Sequence, residues 1–325
     1  MADVGCAGIL VADTFCGPMK RLPRAGELLA IEEMPSKAGG CAANVAIDLA
    51  KQGVSVDVCG CVGADASAEV LLQNLQANGV DCTQILRLDS HPTSKTVILL
   101  VEGEDRRFVH VFGANAAFDV GKIRREWIDG LKVFYLGGLF VMPAVRTDEL
   151  ADLLAYCRRR GIVTVLDVVV PHGHAAGMEA LKPLLPHVDY FLPNEDEAQQ
   201  LTGVADRELQ VDAFLSHGAS NVVITCGGEG AVAASAAQKT TQLWRSDIYR
   251  VDCIDPSGSG DAFAAGIITG ALRGWDMTRT LRFASALGAS ATTAVGTTDG
   301  VFTADQAAAF LEEHSLSVRH YTRVM

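Results

Sequence analysis

The segment Asp255-Pro-Ser-Gly-Ser-Gly-Asp261 combines a glycine-rich turn with a carboxylate at each end. Residues 249–254, which precede it, are of types that suit an extended strand. The apolar residues that follow it recur at helical spacing as far as Leu272. The sequence therefore predicts a strand, a turn and a helix. Such a turn leaves backbone N–H groups unpaired at the positive end of a helix, which is a site for anions.

Asp261 places a negative side chain beside this expected anion site. A carboxylate there is unfavourable for phosphate binding alone, but it is useful where a hydroxyl must lose its proton while phosphate is transferred. We therefore hypothesise phosphoryl transfer with Asp261 as the general base. A plain turn with Asp261 as a helix cap is the alternative that this segment alone leaves open.

Other phosphate-binding motifs fail on spacing. A dinucleotide fingerprint that starts at Gly258 needs a third glycine where the chain has Phe263. A P-loop needs Ser or Thr after Gly-Lys, but Gly121-Lys122 is followed by Ile123. The eight histidines form no H-E-x-x-H zinc motif.

The composition allows a large buried core and disfavours a general nucleic-acid or membrane binder. The chain has 325 residues, of which 49% are hydrophobic, and its net charge of −12 disfavours binding to nucleic acid or anionic membranes. Nine scattered cysteines without a C-x-x-C pair, together with no signal-peptide pattern at the N-terminus, predict a reducing, cytoplasmic location.

Strand and helix patterns alternate along most of the chain. This alternation predicts an α/β fold, with a mostly parallel central sheet flanked by helices on both faces. Strands are expected at 5–12, 54–62, 132–137, 162–170, 188–193, 221–226, 230–235, 241–245 and 248–254. A glycine turn that opens a helix is expected within 37–53, and further helices are expected at 66–78, 147–160, 195–202, 206–217, 261–273, 278–294 and 303–313. Ligands of such sheets bind at the carboxyl ends of the strands, where we expect Asp13, Gly39, Asn194 and Asp261.

Two segments lie outside this alternation. Residues 14–37 are interrupted by glycines and prolines, and residues 94–101 and 107–112 form a hairpin pattern around Gly103. We expect these segments to form a separate small sheet.

Two motifs in combination resemble the ribokinase-like (PfkB-type) carbohydrate kinases. The first is Gly39-Gly-Cys-Ala-Ala-Asn44, followed by glycines at 53 and 63, and the second is the 255–261 turn. Asn194-Glu-Asp-Glu197 and Thr225-Cys-Gly-Gly-Glu-Gly230 resemble the family's N-x-x-E and nucleotide segments. The resemblance covers roughly residues 4–314.

The resemblance implies one kinase domain over 1–325, with a β lid built from about 14–37 and 93–114. It implies ATP and Mg²⁺ as cofactors and transfer of the γ-phosphate to a hydroxymethyl group of a sugar. It also implies a homodimer that forms through the lid, and in some members K⁺ as a further cofactor.

The resemblance also assigns the catalytic and sugar-binding roles. Asp261 would remove the proton of the attacking hydroxyl. The backbone N–H groups of three residues would form the anion hole: Gly258, Ser259 and Gly260. Four residues would bind the sugar: Asp13, Gly39, Gly40 and Asn44. For Asp13 a turn residue, and for Asn44 a helix cap, is the structural alternative.

The remaining assignments concern metal ions and the nucleotide. Asn194 and Glu197 would organise Mg²⁺ through water, although Asn194 could simply cap the helix that holds Glu197. The nucleotide would be held by Asn194, Thr225, Gly227, Gly230, Gly258 and Gly260. A monovalent cation would be held by Asp255, Ser257, Ala291 and Gly296. For Asp255, capping its own turn is the alternative.

The acceptor is less well defined than the chemistry. Arg106 and Arg107 could bind a phosphate on the acceptor, but we expect a solvated hairpin tip. Cys41 replaces a lysine of ribokinase, and residues 133–138 end in glycines where ribokinase has an acidic sugar contact. The pocket is thus expected to be more open and less polar. A nucleoside kinase, a sugar-phosphate kinase and a non-catalytic sensor remain the alternatives.

Overall fold

A computed structural model of the chain describes residues 2–104, 106–171, 177–237 and 240–324. Its strands are β1 Val4–Gly8, β2 Val11–Met19, β3 Ser36–Gly39, β4 Val56–Gly63, β5 Asp81–Leu88, β6 Lys95–Val101, β7 Arg107–Val111, β8 Val133–Leu139, β9 Val163–Val168, β10 Tyr190–Phe191, β11 Asn221–Thr225, β12 Ala231–Ala237, β13 Thr240–Ser246 and β14 Val318–Val324. Its α-helices are α1 Cys41–Lys51, α2 Ala66–Ala77, α3 Arg125–Ile128, α4 Thr147–Arg159, α5 Met178–Leu181, α6 Glu195–Thr202, α7 Arg207–Ser216, α8 Ser259–Leu272, α9 Met277–Ala291 and α10 Ala304–Glu313.

Ten strands form the central sheet in the order β14-β13-β12-β11-β10-β9-β8-β1-β4-β5. The pairs from β5 across to β11 are parallel, and those from β11 to β14 are antiparallel. Successive residues of β8, Phe134 and Tyr135, are both fully buried but belong to different apolar clusters. Both faces of the sheet are therefore covered, which confirms the predicted α/β class.

A separate four-stranded sheet, in the order β3-β2-β6-β7, is built from the two segments expected for it. It is mixed, because β2 pairs parallel with β6 and the other two pairs are antiparallel. The buried side chain of Asn115 ties this sheet to the core. It accepts a hydrogen bond from the Leu10 N–H (3.1 Å) and donates one to the Leu10 carbonyl (2.9 Å).

The prediction of one strand over 5–12 is wrong. The core strand ends at Gly8, where φ is 141° and a Cβ would lie 2.1 Å from the carbonyl oxygen of Gly137. Only glycine allows the chain to approach β8 so closely while turning away. Asp13 consequently lies in the small sheet, within β2, and not at the end of a core strand.

The strand predicted at 248–254 is also wrong. The preceding strand ends at Ser246, and residues 247–258 run without regular structure. The carbonyl of Thr292 accepts hydrogen bonds from the N–H groups of Ile254 (2.7 Å) and Asp255 (3.1 Å). This tertiary contact satisfies the backbone that a sheet would otherwise satisfy. Four elements were not predicted: β5, β14, α3 and α5.

Two helices begin with glycines of positive φ and pack side by side. Gly40 (φ 89°) precedes α1, and Gly258 (φ 75°) precedes α8. On its other side, α8 lies very close to α9, since a Cβ on Gly266 would be 2.4 Å from the Cα of Ala284. These contacts fix the axis of α8 and, with it, the position of the turn at its start.

A buried acid lies on α1 beside α8. Asp48 is fully buried, and neither of its carboxylate oxygens has a hydrogen-bond partner in the part of the chain that the structure describes. Burial raises the pKa of Asp48 well above its ordinary value, and the charge of Asp261 adds to the rise. The folded protein therefore holds the Asp48 proton more tightly than the unfolded chain does.

We expect Asp48→Asn to melt at a higher temperature than the parent at pH 8, and by a smaller margin at pH 5. Because the pKa is raised on folding, the parent loses stability as the pH rises above the unfolded value of about 3.9. Thermal denaturation at several pH values measures this. Asp305→Asn, at an exposed position on α10, should show no such trend. Equal or lower stability of Asp48→Asn at pH 8 would show that the carboxylate has a favourable partner.

Candidate active site

The start of α8 supplies unpaired backbone donors at the edge of the central sheet. The helix ladder begins with the Ala262 N–H, which donates to the carbonyl of Gly258 (2.9 Å). The N–H groups of Gly260 and Asp261 in the first turn have no such partner within the helix. A Cβ on Gly258 would lie 1.9 Å from the carbonyl oxygen of Thr297, so the turn requires glycine there. This end of the helix is positive and suits an anion.

Asp261 and Asn44, from the two sequence motifs, are in direct contact. The Nδ2 of Asn44 donates to the Asp261 carboxylate at 2.8 Å. Thr297 donates its hydroxyl to Oδ1 of Asn44 at 2.9 Å, which fixes the amide with its nitrogen toward Asp261. The thiol of Cys41 also hydrogen-bonds to Asp261. The two motifs thus form one site, although 217 residues separate Asn44 from Asp261.

Burial raises the pKa of Asp261, and the hydrogen bonds from Asn44 and Cys41 oppose that rise. These two donors stabilise the ionised form, in which the carboxylate can accept a proton. Asp261 therefore combines a raised basicity with a defined orientation, both of which a general base needs.

Asp13 reaches the same region from the small sheet. Asp13 is 6% exposed, and burial raises its pKa to about 6. A hydrogen bond from Thr96 lowers the pKa, and the charge of Asp261 raises it further. A Cβ on Gly39 would lie 1.8 Å from Oδ2 of Asp13. The glycine of the first motif therefore makes room for the Asp13 carboxylate.

A cavity of about 170 Å³ opens beside Asp261. The predicted residues that line it are Asn194, Glu197, Thr225, Gly258, Gly260 and Asp261. Residues of the cavity wall that had no predicted site role are Cys41, Asp167, Val168, Val169, Leu192, Phe263 and Ala264. Most of the nucleotide and magnesium residues expected from the sequence are therefore neighbours of the expected base, whereas those expected for a monovalent cation do not line the cavity.

A larger cavity, of about 590 Å³, lies at the other end of α8 and is lined by Arg273, Trp275 and Arg279 among others. None of the residues that the sequence assigned to the site lines it. We place the active site at the smaller cavity, because the anion-binding turn and the carboxylates converge only there among the described residues.

Asp167 is the functional candidate that sequence reasoning missed. It lies near the end of β9, lines the cavity and accepts a hydrogen bond from the hydroxyl of Tyr135 at 2.9 Å. Burial raises its pKa well above the ordinary value, and the charges of Glu197 and Asp261 raise it further. A signal was available, because Asp167 is the one charged residue in the strand predicted at 162–170.

The acidic residues around the cavity fit a magnesium ion. Ligand atoms of Cys41, Asp167 and Asp261 all lie within 4.8 Å of one another. Burial raises the pKa of the Cys41 thiol well above its ordinary value, so the sulfur stays protonated and is a poor ligand. Carboxylate oxygens are the donors that Mg²⁺ prefers, and a divalent cation would relieve the repulsion among these buried acids.

Asn194 and Glu197 form a reciprocal cap at the start of α6. The N–H of Asn194 donates to Oε2 of Glu197, and the N–H of Glu197 donates to Oδ1 of Asn194, both at 2.9 Å. The capping role considered from the sequence is therefore present. Burial raises the pKa of Glu197 to about 7, although hydrogen bonds from the N–H groups of Asn194 and Val170 lower it. The cap therefore also holds this acid at the cavity wall.

The nucleotide segment is only partly at the cavity. Thr225 ends β11, forms a parallel bridge with Asn194 and lines the cavity. Gly227 and Gly230 lie in the next turn, away from the cavity wall. A Cβ on Gly230 would lie 2.0 Å from the carbonyl oxygen of Ser246, so this glycine is required for packing.

Asp255 caps its own turn, as one of the two sequence interpretations proposed. Its carboxylate accepts hydrogen bonds from the N–H (3.0 Å) and hydroxyl (2.7 Å) of Ser257 and from the N–H of Gly296 (3.1 Å). The Asp255 N–H donates to the carbonyl of Thr292, and Ala291 is the residue before Thr292. The residues predicted to hold a monovalent cation thus lie around one buried carboxylate.

The expectation of a solvated hairpin tip is wrong for Arg106. Its guanidinium donates to the hydroxyl of Ser257 at 2.9 Å and lies 3.5 Å from Oδ1 of Asp255. Arg107 behaves as expected, since it is exposed and pairs with Glu104 at the surface. The sequence gave no signal for this contact, because Arg106 and Ser257 are 151 residues apart.

The central sheet is mostly parallel, and it carries an attached small sheet. An anion-binding turn and a buried acid lie together at its edge. These features together are typical of a class of phosphate-transferring proteins. Residues 1–304 match the family model described as pfkB family carbohydrate kinase. The chain belongs to this family of carbohydrate kinases, which confirms the resemblance drawn from the two motifs.

No helix among the described residues is long and apolar enough to span a membrane.

The chain is similar to several curated kinases. It is 29% identical to a ribokinase of Bacillus subtilis over 268 residues (81% of this chain and 84% of the relative). It is 28% identical to the 2-dehydro-3-deoxygluconokinase of Bacillus subtilis (84% and 86%), and 24% identical to an ATP-dependent 6-phosphofructokinase of Thermoanaerobacterium thermosaccharolyticum (77% and 77%).

Solved structures of ribokinases share the fold. The Arabidopsis thaliana ribokinase complexed with ribose and ATP superposes with a TM-score of 0.81 at 22% identity, covering 96% of this chain and 99% of that one. The ribokinase of Thermotoga maritima gives a TM-score of 0.80 at 21% identity, covering 96% and 100%. The central sheet and the separate small sheet are therefore those of the ribokinase fold.

We expect kcat/KM for the acceptor to fall as the pH drops below about 6, the raised pKa of Asp13, because protonation removes a hydrogen-bond acceptor from the site. Initial rates at saturating ATP between pH 5 and pH 8 measure this. Asp13→Asn should lower kcat/KM at neutral pH and flatten the acid limb. If kcat/KM of Asp13→Asn still falls with the same midpoint pH as in the parent, the fall reports the titration of a residue other than Asp13.

Proposed function

We propose that the protein is an ATP-dependent kinase that transfers the γ-phosphate to a hydroxymethyl group of a sugar. The observation that carries this proposal is the contact between Asn44 and Asp261 at the start of α8. It supports the proposal because it orients the Asp261 carboxylate, the proposed base, beside unpaired backbone donors at a positive helix end. That juxtaposition suits the deprotonation of a hydroxyl and the binding of a transferring phosphoryl group in the same place.

In the proposed reaction, Asp261 accepts the proton of the acceptor hydroxyl as the oxygen attacks phosphorus. The N–H groups of Gly258, Ser259 and Gly260 stabilise the charge on the transferring group. Ser259 is the weakest of the three, because its N–H already makes a long contact with the Pro256 carbonyl (3.4 Å). These donors are fixed before substrate binds, so little reorganisation opposes the reaction.

The acceptor side is proposed to include Asp13, Gly39, Gly40 and Asn44. The Asp13 carboxylate is the best placed to accept hydrogen bonds from hydroxyls, since it is buried near Asp261. Both polar atoms of the Asn44 amide are already bonded, to Asp261 and Thr297. Asn44 therefore serves first to orient the base, and its contact with sugar is secondary.

The cofactors proposed are ATP and Mg²⁺. Asn194, Thr225, Gly227 and Gly230 are the residues proposed for the nucleotide, next to the helix end of Gly258 and Gly260. Glu197, Asn194 and Asp167 would hold Mg²⁺, in part through water. When bound, the metal would neutralise phosphate charge. The resemblance also implies K⁺ at Asp255. Because the Arg106 guanidinium lies 3.5 Å from that carboxylate, K⁺ is proposed there only as an accessory cation that turnover does not require.

The rival acceptors are a sugar phosphate and a nucleoside. Both arginines considered for binding an acceptor phosphate are engaged elsewhere, Arg106 with the 255–257 turn and Arg107 with Glu104. This favours an unphosphorylated acceptor. The nucleoside alternative and the non-catalytic sensor are retained as outcomes of the substrate test below.

We further propose that the small sheet acts as a lid and that two copies of the chain associate through it. One region of the lid exposes several large apolar side chains: Val97, Phe108, Val109, Val111 and Phe112. An apolar patch of this kind marks an interaction surface. A reducing, cytoplasmic location is consistent with the nine free cysteines.

ADP formation should be stimulated by at least one member of a panel of ribose, ketohexoses, sugar acids, sugar phosphates and adenosine. Asp261→Asn should retain ATP binding and lower kcat on the order of 10²- to 10⁴-fold, because it removes the base. A coupled ADP assay and ATP titration measure the two effects. Asp305→Asn, in the first turn of α10, is the matched control. Turnover of Asp261→Asn near the parent rate would exclude Asp261 as the base, and a panel without any active member would favour the sensor.

Val109→Asp should convert the proposed dimer to monomer, because a buried unpaired charge in an apolar interface is unfavourable. Sedimentation equilibrium measures the mass. Leu209→Asp introduces the same change at an exposed leucine on α7 and should leave the mass unchanged. A Val109→Asp protein that keeps the parent mass would place any interface elsewhere.

A further inference from the structure

Arg106 connects the lid to the turn that precedes the anion hole. It lies between β6 and β7, at the tip of the lid hairpin, and it donates to Ser257 (2.9 Å) beside Asp255 (3.5 Å). The guanidinium also lies over the ring of Phe108, 5.7 Å from its centre. The hairpin therefore presents a cation, oriented by an aromatic ring, to the core.

The partners of Arg106 are interior groups. Asp255 is 3% exposed and Ser257 is 7% exposed, whereas the Arg106 side chain is 24% exposed. A carboxylate so deeply buried is costly unless a positive charge and hydrogen-bond donors accompany it. The donors to Asp255 come from Ser257 and Gly296, and the nearby formal charge comes from Arg106.

Asp255 in turn forms hydrogen bonds to the two backbone segments that flank Gly258. One of its oxygens binds the N–H and hydroxyl of Ser257, the residue before Gly258. Its other oxygen binds the N–H of Gly296, the residue before Thr297, whose carbonyl is packed against Gly258. A change at Asp255 is thus transmitted directly to the backbone on each side of Gly258.

We propose that Arg106 is a positioning residue for phosphoryl transfer, which orders the Asp255–Ser257 turn and so completes the anion hole when the lid is seated on the core. This inference rests on the proposed function. Because Arg106 belongs to the lid hairpin, displacement of the hairpin breaks the contact. The guanidinium also supplies positive charge at the carboxylate predicted to hold potassium, so turnover should not require K⁺.

Arg106→Gln tests the proposal against Arg107→Gln, which removes the same charge from the adjacent residue. With an acceptor identified from the substrate panel, Arg106→Gln should lower kcat on the order of tenfold or more, with the KM for ATP changed by less than about threefold. That split is expected because the anion hole acts mainly on the transition state. Arg107→Gln should behave as the parent. Equal kcat values in the parent and Arg106→Gln, or equal losses in the two variants, would overturn the proposal.

Chemical rescue separates positioning from a general effect on folding. Guanidinium at low millimolar concentration should restore part of the kcat lost in Arg106→Ala and should leave Arg107→Ala unchanged. Parent rates in Na⁺, K⁺ and choline salts should agree within about twofold. A parent that depends strongly on K⁺, or an Arg106→Ala variant that guanidinium does not restore, would contradict the assigned role.

Hydrogen exchange provides a readout that does not depend on turnover. In Arg106→Gln, the amides of residues 257–261 should exchange faster than in the parent, while Arg107→Gln should leave them unchanged. Unchanged exchange in Arg106→Gln would overturn the inference even if the kinase is active. Faster exchange together with a parent that phosphorylates no panel member would instead count against the proposed function.

Discussion

The hydrogen bond between Asn44 and Asp261 is the interaction on which the arrangement of the site depends. It joins the first turns of α1 and α8, two helices that start at the same edge of the sheet and lie against each other. Thr297 donates its hydroxyl to the amide oxygen, which helps to keep the amide nitrogen directed toward Asp261. A base without this donor would be free to rotate away from the backbone groups of its own helix turn.

Electrostatics constrain the site as strongly as packing does. Asp13, Asp167, Glu197 and Asp261 converge in a protein that is already negative, and each has a pKa raised chiefly by burial. Their raised pKa values favour the protonated forms, and this reduces the repulsion among them in the folded chain. The positive start of α8 offsets part of the remaining negative charge, and a divalent cation bound among these acids would offset more of it.

The sequence predicted those parts of the site in which the functional residues and the residues that set the local backbone lie within the same short motif. Gly258 and Gly40 are required by positive φ at helix starts, and Asp261 and Asn44 lie within the same short motifs. Such requirements can be read from adjacent residues. The α/β class followed in the same way from the alternation of strand and helix patterns.

The errors arose where a distant contact decided the outcome. Residues 249–254 have strand-forming side chains, but the Thr292 carbonyl takes up the backbone donors of 254 and 255. Asp13 left the core because Gly8 meets the backbone of Gly137. The roles of Asp167 and Arg106 depend on which strand ends and which loop lie next to the turn, and a single sequence does not encode those neighbours locally.

The way in which the small sheet is spliced into the chain limits how it can move. The backbone passes between the two sheets four times: from β1 to β2, β3 to α1, β5 to β6, and after β7. These crossings touch one another. Gly40 is packed on the Ile9 carbonyl, Gly113 on the Pro92 carbonyl, and Asn115 holds Leu10. Four adjacent chain segments therefore join the small sheet to the core along one line. Any displacement of the small sheet that keeps these contacts is a rotation about that line.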